Sequence, residues 1–215
     1  MKTPTLRDEQ AAQTRKRILA SAATVFVEQG YAAARIEDIA DQARVAVPTV
    51  YKVFTNKRTL LIGALNQAMT GGDDDGSMAQ QAWFSEQLDE PDPPRQLQLI
   101  ARNSRRVAER GARLLNVLRA AAPGDSVLAD AWRDVAKQRL QRSRRTAKNL
   151  AAKASNDLRL GPNELTATLV SLTEPELFTS YTAAGRTADH YEAWLADLLQ
   201  QVILHPRART ERSST

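Results

Sequence analysis

The 215-residue chain contains no cysteine, which excludes disulfides, zinc–thiolate centres and cysteine nucleophiles together. It has only two histidines, His190 and His205, so little material exists for a metal site, and no metal or cofactor is expected. Residues Met1 to Gln10 are polar and hold no apolar run, so no secretory signal is legible. The longest apolar stretches fall far short of the roughly 20 residues that span a membrane. A glycine-rich phosphate loop, a nucleophile–base pair and a paired-carboxylate motif are all missing. The expectation is a soluble, cytoplasmic protein that is not an enzyme.

What is present is basic charge, unevenly placed. The formal net charge is +5 and the isoelectric point about 9.7, both compatible with a polyanionic partner. Residues 1–60 hold ten Lys or Arg against six Asp or Glu, so most of the excess sits in under a third of the chain.

The sequence reads as helices throughout. Alanine, leucine, arginine and glutamine dominate, and no stretch alternates long enough to make a strand. Apolar residues recur at helical spacing in three sets: Ile18, Ala22, Val25 and Phe26; Ile36, Ile39, Ala40 and Ala43; Val50, Val53 and Phe54. Each set is one stripe that must be buried against the others. Gly30 is placed to end the first helix. A fourth helix starts near Asn56 and carries Leu60, Leu61, Ala64 and Leu65. Breaks follow at residues 71–77 and 90–94, and long helices then run from Arg95 towards Ala122, with a bend expected at Gly111, and from Pro123-Gly124-Asp125 to about Ser155. Leu165, Leu169 and Leu172 mark a helix disturbed at Pro175, and Tyr191 to Ile203 the last one. The Arg/Ser/Thr tail, 206–215, is expected to be disordered.

The informative segment is 35–58. Two short amphipathic helices are separated by about three residues, and Pro48 opens the second, where its missing N–H costs nothing. Thr49, Tyr51 and Lys52 stand between the apolar anchors as donors on the face that does not pack. A helix lying in a major groove needs such a face. Lys57 and Arg58 then occupy the first turn of the next helix, against its macrodipole. A phosphate at that helix end would reverse the sign; the alternative is that both point into solvent.

Thr14-Arg15-Lys16-Arg17-Ile18-Leu19 through Phe26, Gly30-Tyr31, Ile36-Glu37-Asp38-Ile39-Ala40, Pro48-Thr49-Val50-Tyr51-Lys52-Val53-Phe54 and Asn56-Lys57 resemble, in order and spacing, the DNA-binding domain of the TetR family of repressors. The resemblance covers residues 14–65. It implies an all-α protein with an N-terminal three-helix domain, 10–65, whose helix-turn-helix occupies about 36–55. A helical effector-binding and dimerisation domain would follow over 66–205. The implied function is a homodimeric regulator, released from palindromic double-stranded operator DNA by a small-molecule effector. Carried over by position, Tyr51 and Lys57 would grip phosphates and Thr49 would reach backbone or a base edge. Val47, Pro48 and Lys52 would face the groove, and Arg35 the flanking backbone. Tyr51 has a competing role packing beside Phe54, and Val47 and Pro48 could be purely structural.

Two positions depart from the family pattern. Arg44 stands where the turn usually has glycine, so a left-handed backbone there would cost on the order of 1 kcal/mol; Arg44 either offsets this by touching DNA or is a tolerated defect. Ala46 replaces a frequent capping serine, losing roughly 1 kcal/mol.

Beyond the motif, Trp83, Phe84, Asn103, Trp132 and Phe178 are candidates to line an effector pocket, with core packing as the alternative for each aromatic. Leu165, Leu169, Trp194, Leu195, Leu198 and Val202 are the expected dimer interface, unless their stripes simply close the chain's own core. Asp73-Asp74-Asp75-Gly76 is a fragment of a calcium loop without its bidentate glutamate and reads as a solvated linker. Arg139, Arg142, Arg144, Arg145 and Lys148 read as a solvated basic face partly paired with acids, or as a second DNA or anion contact.

Overall fold

The computed structural model describes residues 5–72, 78–154 and 156–206. These contain ten α-helices and no strand: α1 (Leu6–Ala33), α2 (Ile36–Ala43), α3 (Val47–Val53), α4 (Lys57–Thr70), α5 (Ala82–Asp89), α6 (Pro93–Ala121), α7 (Ser126–Lys153), α8 (Pro162–Leu172), α9 (Pro175–Ala183) and α10 (Ala188–Ile203). The Asp73–Asp75 acids and the tail from Arg207 lie outside the described residues. None of these helices is long and apolar enough to cross a membrane.

The chain divides into two compact units. The first comprises Met1–Gln81 and Arg106–Gln138, the second Ala82–Arg105 and Arg139–Thr215. Long helices α6 and α7 therefore contribute residues to each.

In the first unit, α1 packs on α2 and α4, and α2 on α3. The stripes legible in sequence are the core: Ile18, Ala22, Val25 and Phe26 of α1, Ile39, Ala40 and Ala43 of α2, Val50 and Phe54, and Leu60, Leu61, Ala64 and Leu65 of α4 are all buried. Gly30 interrupts α1 with φ 76° and ψ 166°, a conformation that glycine adopts without steric cost, and one more turn follows. Gly63 lets α1 and α4 approach. A Cβ there would sit 3.0 Å from Leu19 Cδ2 and 3.3 Å from Phe54 Cε1. Gly111 serves packing as well: α6 does not break there, and a Cβ would come within 3.0 Å of Met69 Cγ.

The second unit is built around Leu97, Ile100, Leu150, Leu165, Leu169, Tyr191, Leu195, Leu199 and Ile203. Phe178 and Tyr181 of α9 meet Tyr191 edge-on at 5.1 and 5.5 Å, and Tyr181 stacks on Trp194 at 4.9 Å. Pro175 does not merely disturb a helix; it opens a separate one, α9, after α8 has ended at Leu172.

The expected dimer stripe needs correction. Leu165, Leu169 and Leu195 are at most 2% exposed within their own unit, so they have no surface to give a partner. The flank of α10 left partly open carries Trp194, Leu198 and Val202, spaced by four residues along one side. The basic run of α7 also divides. Arg144, Arg145 and Lys148 are exposed as expected of a solvated face, whereas Arg139 and Arg142 are partly buried.

Candidate nucleic-acid interface

α2 begins at Arg35, whose extended backbone makes it the N-cap without a side-chain cap. Glu37 and Asp38 in the first turn suit the helix dipole, and Arg35 Nε lies 3.6 Å from Glu37 in an exposed pair. The helix ends at Arg44, with φ 53° and ψ 49°. Arg44 is the one non-glycine residue with positive φ among those described. Its N–H donates to the carbonyls of Ala40 and Asp41, and that of Val45 to Ala40 at 3.0 Å, so the left-handed residue satisfies carbonyls that the helix end would otherwise strand. The strain expected from sequence is present. So is the missing cap: Ala46 opens α3 with no side-chain hydrogen bond.

α3 has two distinct sides. Val50 and Phe54, 1% and 4% exposed, anchor it inward, while Pro48 and Lys52 are exposed, and Val47 and Thr49 half-buried. Tyr51 is 51% exposed. Its ring is therefore not part of the core beside Phe54, and the packing alternative falls. Arg35, Arg44, Pro48, Tyr51 and Lys52 all present side chains to solvent, from the elements on either side of the α2–α3 turn and from the turn itself.

Asn56 caps α4 with Thr59, Asn56 Oδ1 accepting from the Thr59 N–H at 3.0 Å and Thr59 Oγ1 from the Asn56 N–H at 3.3 Å. The two cations that follow both have internal partners. Lys57 Nζ donates to the Ala32 carbonyl at 3.1 Å and lies 4.8 Å from the Tyr31 ring centroid. Burial holds its pKa below the ordinary lysine value. Arg58 pairs with Asp125, holding that carboxyl below the usual carboxylate range. A phosphate is thus not required to explain either cation. Sequence reasoning missed Tyr31, the Ala32 carbonyl and Asp125, and also Arg15, whose guanidinium sits 4.6 Å from the Phe54 ring centroid. A tyrosine after the helix-ending glycine was a weak signal; nothing local points to Asp125, 67 residues from its partner.

Of the effector candidates, three come together. Trp83 and Phe84 meet edge-on at 6.0 Å, and Asn103 Nδ2 donates to the Trp83 carbonyl at 3.3 Å. Phe178 instead packs on Tyr191, and Trp132 falls in the first unit.

Residues 18–64 match the family described as bacterial regulatory proteins, tetR family. Over these residues the chain carries a tetR-type DNA-binding segment. The HTH-type transcriptional activator FasR of Mycolicibacterium smegmatis is 39% identical over 61 residues, 28% of this chain and 26% of that protein. The match thus spans about a quarter of that relative's length. Among solved structures, native NalD of Pseudomonas aeruginosa, the secondary repressor of the MexAB-OprM multidrug efflux pump, has a TM-score of 0.66 at 22% identity, covering 91% of this chain and 98% of that one. Transcriptional regulator FadR of Bacillus subtilis, in complex with stearoyl-CoA, has a TM-score of 0.67 at 17% identity, covering 87% and 98%. A protein of Saccharomonospora viridis described as a transcriptional regulator, in complex with choline, reaches 0.70 at 19% identity, covering 90% and 99%. At these identities the structures show that the tetR-type fold extends beyond the DNA-binding segment.

Proposed function

We propose that this protein is a tetR-type, sequence-specific DNA-binding transcriptional regulator, a cytoplasmic homodimer released from a palindromic operator by a small-molecule effector. The observation that carries the reading is the division of α3. Val50 and Phe54 fix the helix from behind, while Pro48, Tyr51 and Lys52 face outward, as a helix entering a major groove requires. Lys52 and Thr49 supply donors for base edges, Tyr51 a hydroxyl for phosphate, and Arg35 and Arg44 charge on either side of α2. Lys57 acts through its grip on Ala32 and Tyr31, orienting the start of α4.

One helix-turn-helix makes too few base contacts for useful specificity, and two-fold pairing doubles them. Trp194, Leu198 and Val202 on α10 supply apolar surface for that pairing. Two copies of α3 would then read half-sites about 34–36 Å apart, and an effector favouring another separation would weaken binding. The similar proteins include an activator and a repressor; repression is the sign proposed.

The test is selection of bound DNA from genomic fragments, followed by a reporter driven from the selected promoter. Sites with a dyad, and expression that rises when the protein is deleted, are the expected results. Lys52→Ala should alter base preference, each good base contact being worth about 1–3 kcal/mol, whereas Tyr51→Phe should weaken cognate and random DNA alike. Sites without a dyad, or a monomer at micromolar concentration, would remove the dimeric reading.

A further inference from the structure

The start of α4 is tied in two directions. Lys57 reaches back to the Ala32 carbonyl and the Tyr31 ring at the end of α1, inside the DNA-binding segment. Arg58, the next residue, pairs through Nε with Asp125, which immediately precedes α7. Asp125 is already in use there. Its Oδ1 accepts from the N–H groups of Val127 and Leu128 at 3.0 and 3.3 Å, capping α7. One carboxylate thus serves the first turns of two helices, and neither α4 nor α7 has an acid of its own in that turn.

Stability does not account for the pair. The Arg58 side chain is 49% exposed, and exposed ion pairs contribute little to folding. A cation in the first turn of α4 also opposes the helix dipole. What the pair does fix is position. The Asp125 side chain, only 12% exposed and held by two N–H groups, is a fixed acceptor. The far end of α4 is set against α6, where a Cβ on Gly71 would lie 2.5 Å from Arg110 Nη1. Position matters to α3, a seven-residue helix too short to hold a direction without neighbours. Three residues separate it from α4. Its C-cap Phe54 lies against α4, where a Cβ on Gly63 would come within 3.3 Å of the ring. Whatever holds the start of α4 therefore helps to aim Tyr51 and Lys52.

We propose that Asp125 is a positioning residue for DNA binding: acting through Arg58, it fixes the first turn of α4 and so the presentation of α3 to the operator. Asp125 itself touches no DNA, and Arg58 is engaged by the carboxylate rather than by a phosphate. The inference rests on the regulator reading and names a residue, far along the chain from the helix-turn-helix, on which operator affinity depends.

The test uses the full chain and a DNA fragment selected from the genome by the wild type, with Kd measured across salt concentrations. Asp125→Asn removes the charge and keeps a cap on α7, since asparagine caps as well as aspartate. It should weaken operator binding roughly tenfold, within the usual range of coupling between sites, and lower Tm only slightly. Arg58→Gln, at an exposed position, should do the same. The double variant should be no worse than either, because all three lose one shared contact. Arg58→Lys keeps the charge and should recover part of the loss. The slope of log affinity against log salt should stay at its wild-type value in all four variants, since no phosphate contact, worth about −0.9 each, is removed. A slope shallower by about 1 to 2 in Arg58→Gln would put the arginine on DNA and overturn the proposal. Unchanged or tighter binding by Asp125→Asn, or losses that add in the double variant, would overturn it too. Failure of the wild type to select any DNA removes the regulator reading, and this inference falls with it; wild-type binding with unaffected variants overturns the inference alone.

Discussion

The two compact units bury different materials. The first, with α1 to α4, closes over an interior of aliphatic side chains, methionines, Phe26 and Phe54, with Ser21 and Gln81 as the buried polar residues among those described, and with Gln67 Oε1 as a buried acceptor without a partner. The second buries five polar side chains and leaves two of their acceptors unpaired. An apolar interior can be specified by spacing alone, because burying any leucine at the right period contributes similarly. A polar interior depends on which atoms meet, and spacing does not encode that. The first unit is therefore specified mainly by spacing, and the second also by which polar atoms meet.

The sharpest contrast comes from two positions that are both 0% exposed, Phe26 and Gln96. Phe26→Ala should cost about 3–5 kcal/mol in urea unfolding, through lost burial and a cavity. Gln96→Leu should cost less than about 1 kcal/mol, since one hydrogen bond is lost but an unsatisfied acceptor goes with it. Equal losses would mean that buried polar side chains support the second unit as strongly as apolar ones support the first.

Smaller effects belong to the α2–α3 turn. Arg44→Gly relieves the left-handed backbone and Ala46→Ser supplies the missing cap, so each should stabilise by about 1 kcal/mol. Measured against operator DNA, the pair also resolves what Arg44 does. A stabilised Arg44→Gly with unchanged affinity makes the arginine a tolerated defect, and a loss of affinity makes it a DNA contact.

The smallest effect concerns acid. Arg58 lowers the Asp125 pKa, so the folded state gains stability that is present above the ordinary carboxylate value, about 3.9, and is lost as pH falls through the lowered one. Asp125→Asn should depress Tm slightly at neutral pH, with the difference from wild type closing on acidification. A difference that persists below that window would assign the effect to packing.

Most of the first unit was legible from the sequence because its determinants are local: stripes at helical period, Pro48 at a helix start, Asn56 as a cap, Arg44 where glycine is usual. What was missed there are partners distant along the chain, the Ala32 carbonyl that holds half-buried Lys57 and Asp125, which pairs with exposed Arg58. In the second unit the helices were legible and their sidedness was not. Leu165, Leu169 and Leu195 were expected at an interface and lie in the core, since periodicity identifies an apolar stripe without saying what covers it. Arg139 and Arg142 show the converse: charge on a helix reads as solvated, yet both side chains are partly buried, and Arg139 pairs with Glu174.

The two-sided construction of α3 has a consequence for how such a protein diversifies. Its frame is held by Val50, Phe54 and the close approach at Gly63, whereas Pro48, Tyr51 and Lys52 are exposed. Changes on the outer side are nearly free of folding cost, so on the proposed reading the preferred operator drifts by single substitutions while the scaffold stands still. The reverse is constrained: at Gly63 even a methyl group requires the side chains of Leu19 and Phe54 to shift. After gene duplication, two copies can part company in the DNA they read long before they differ in how they fold.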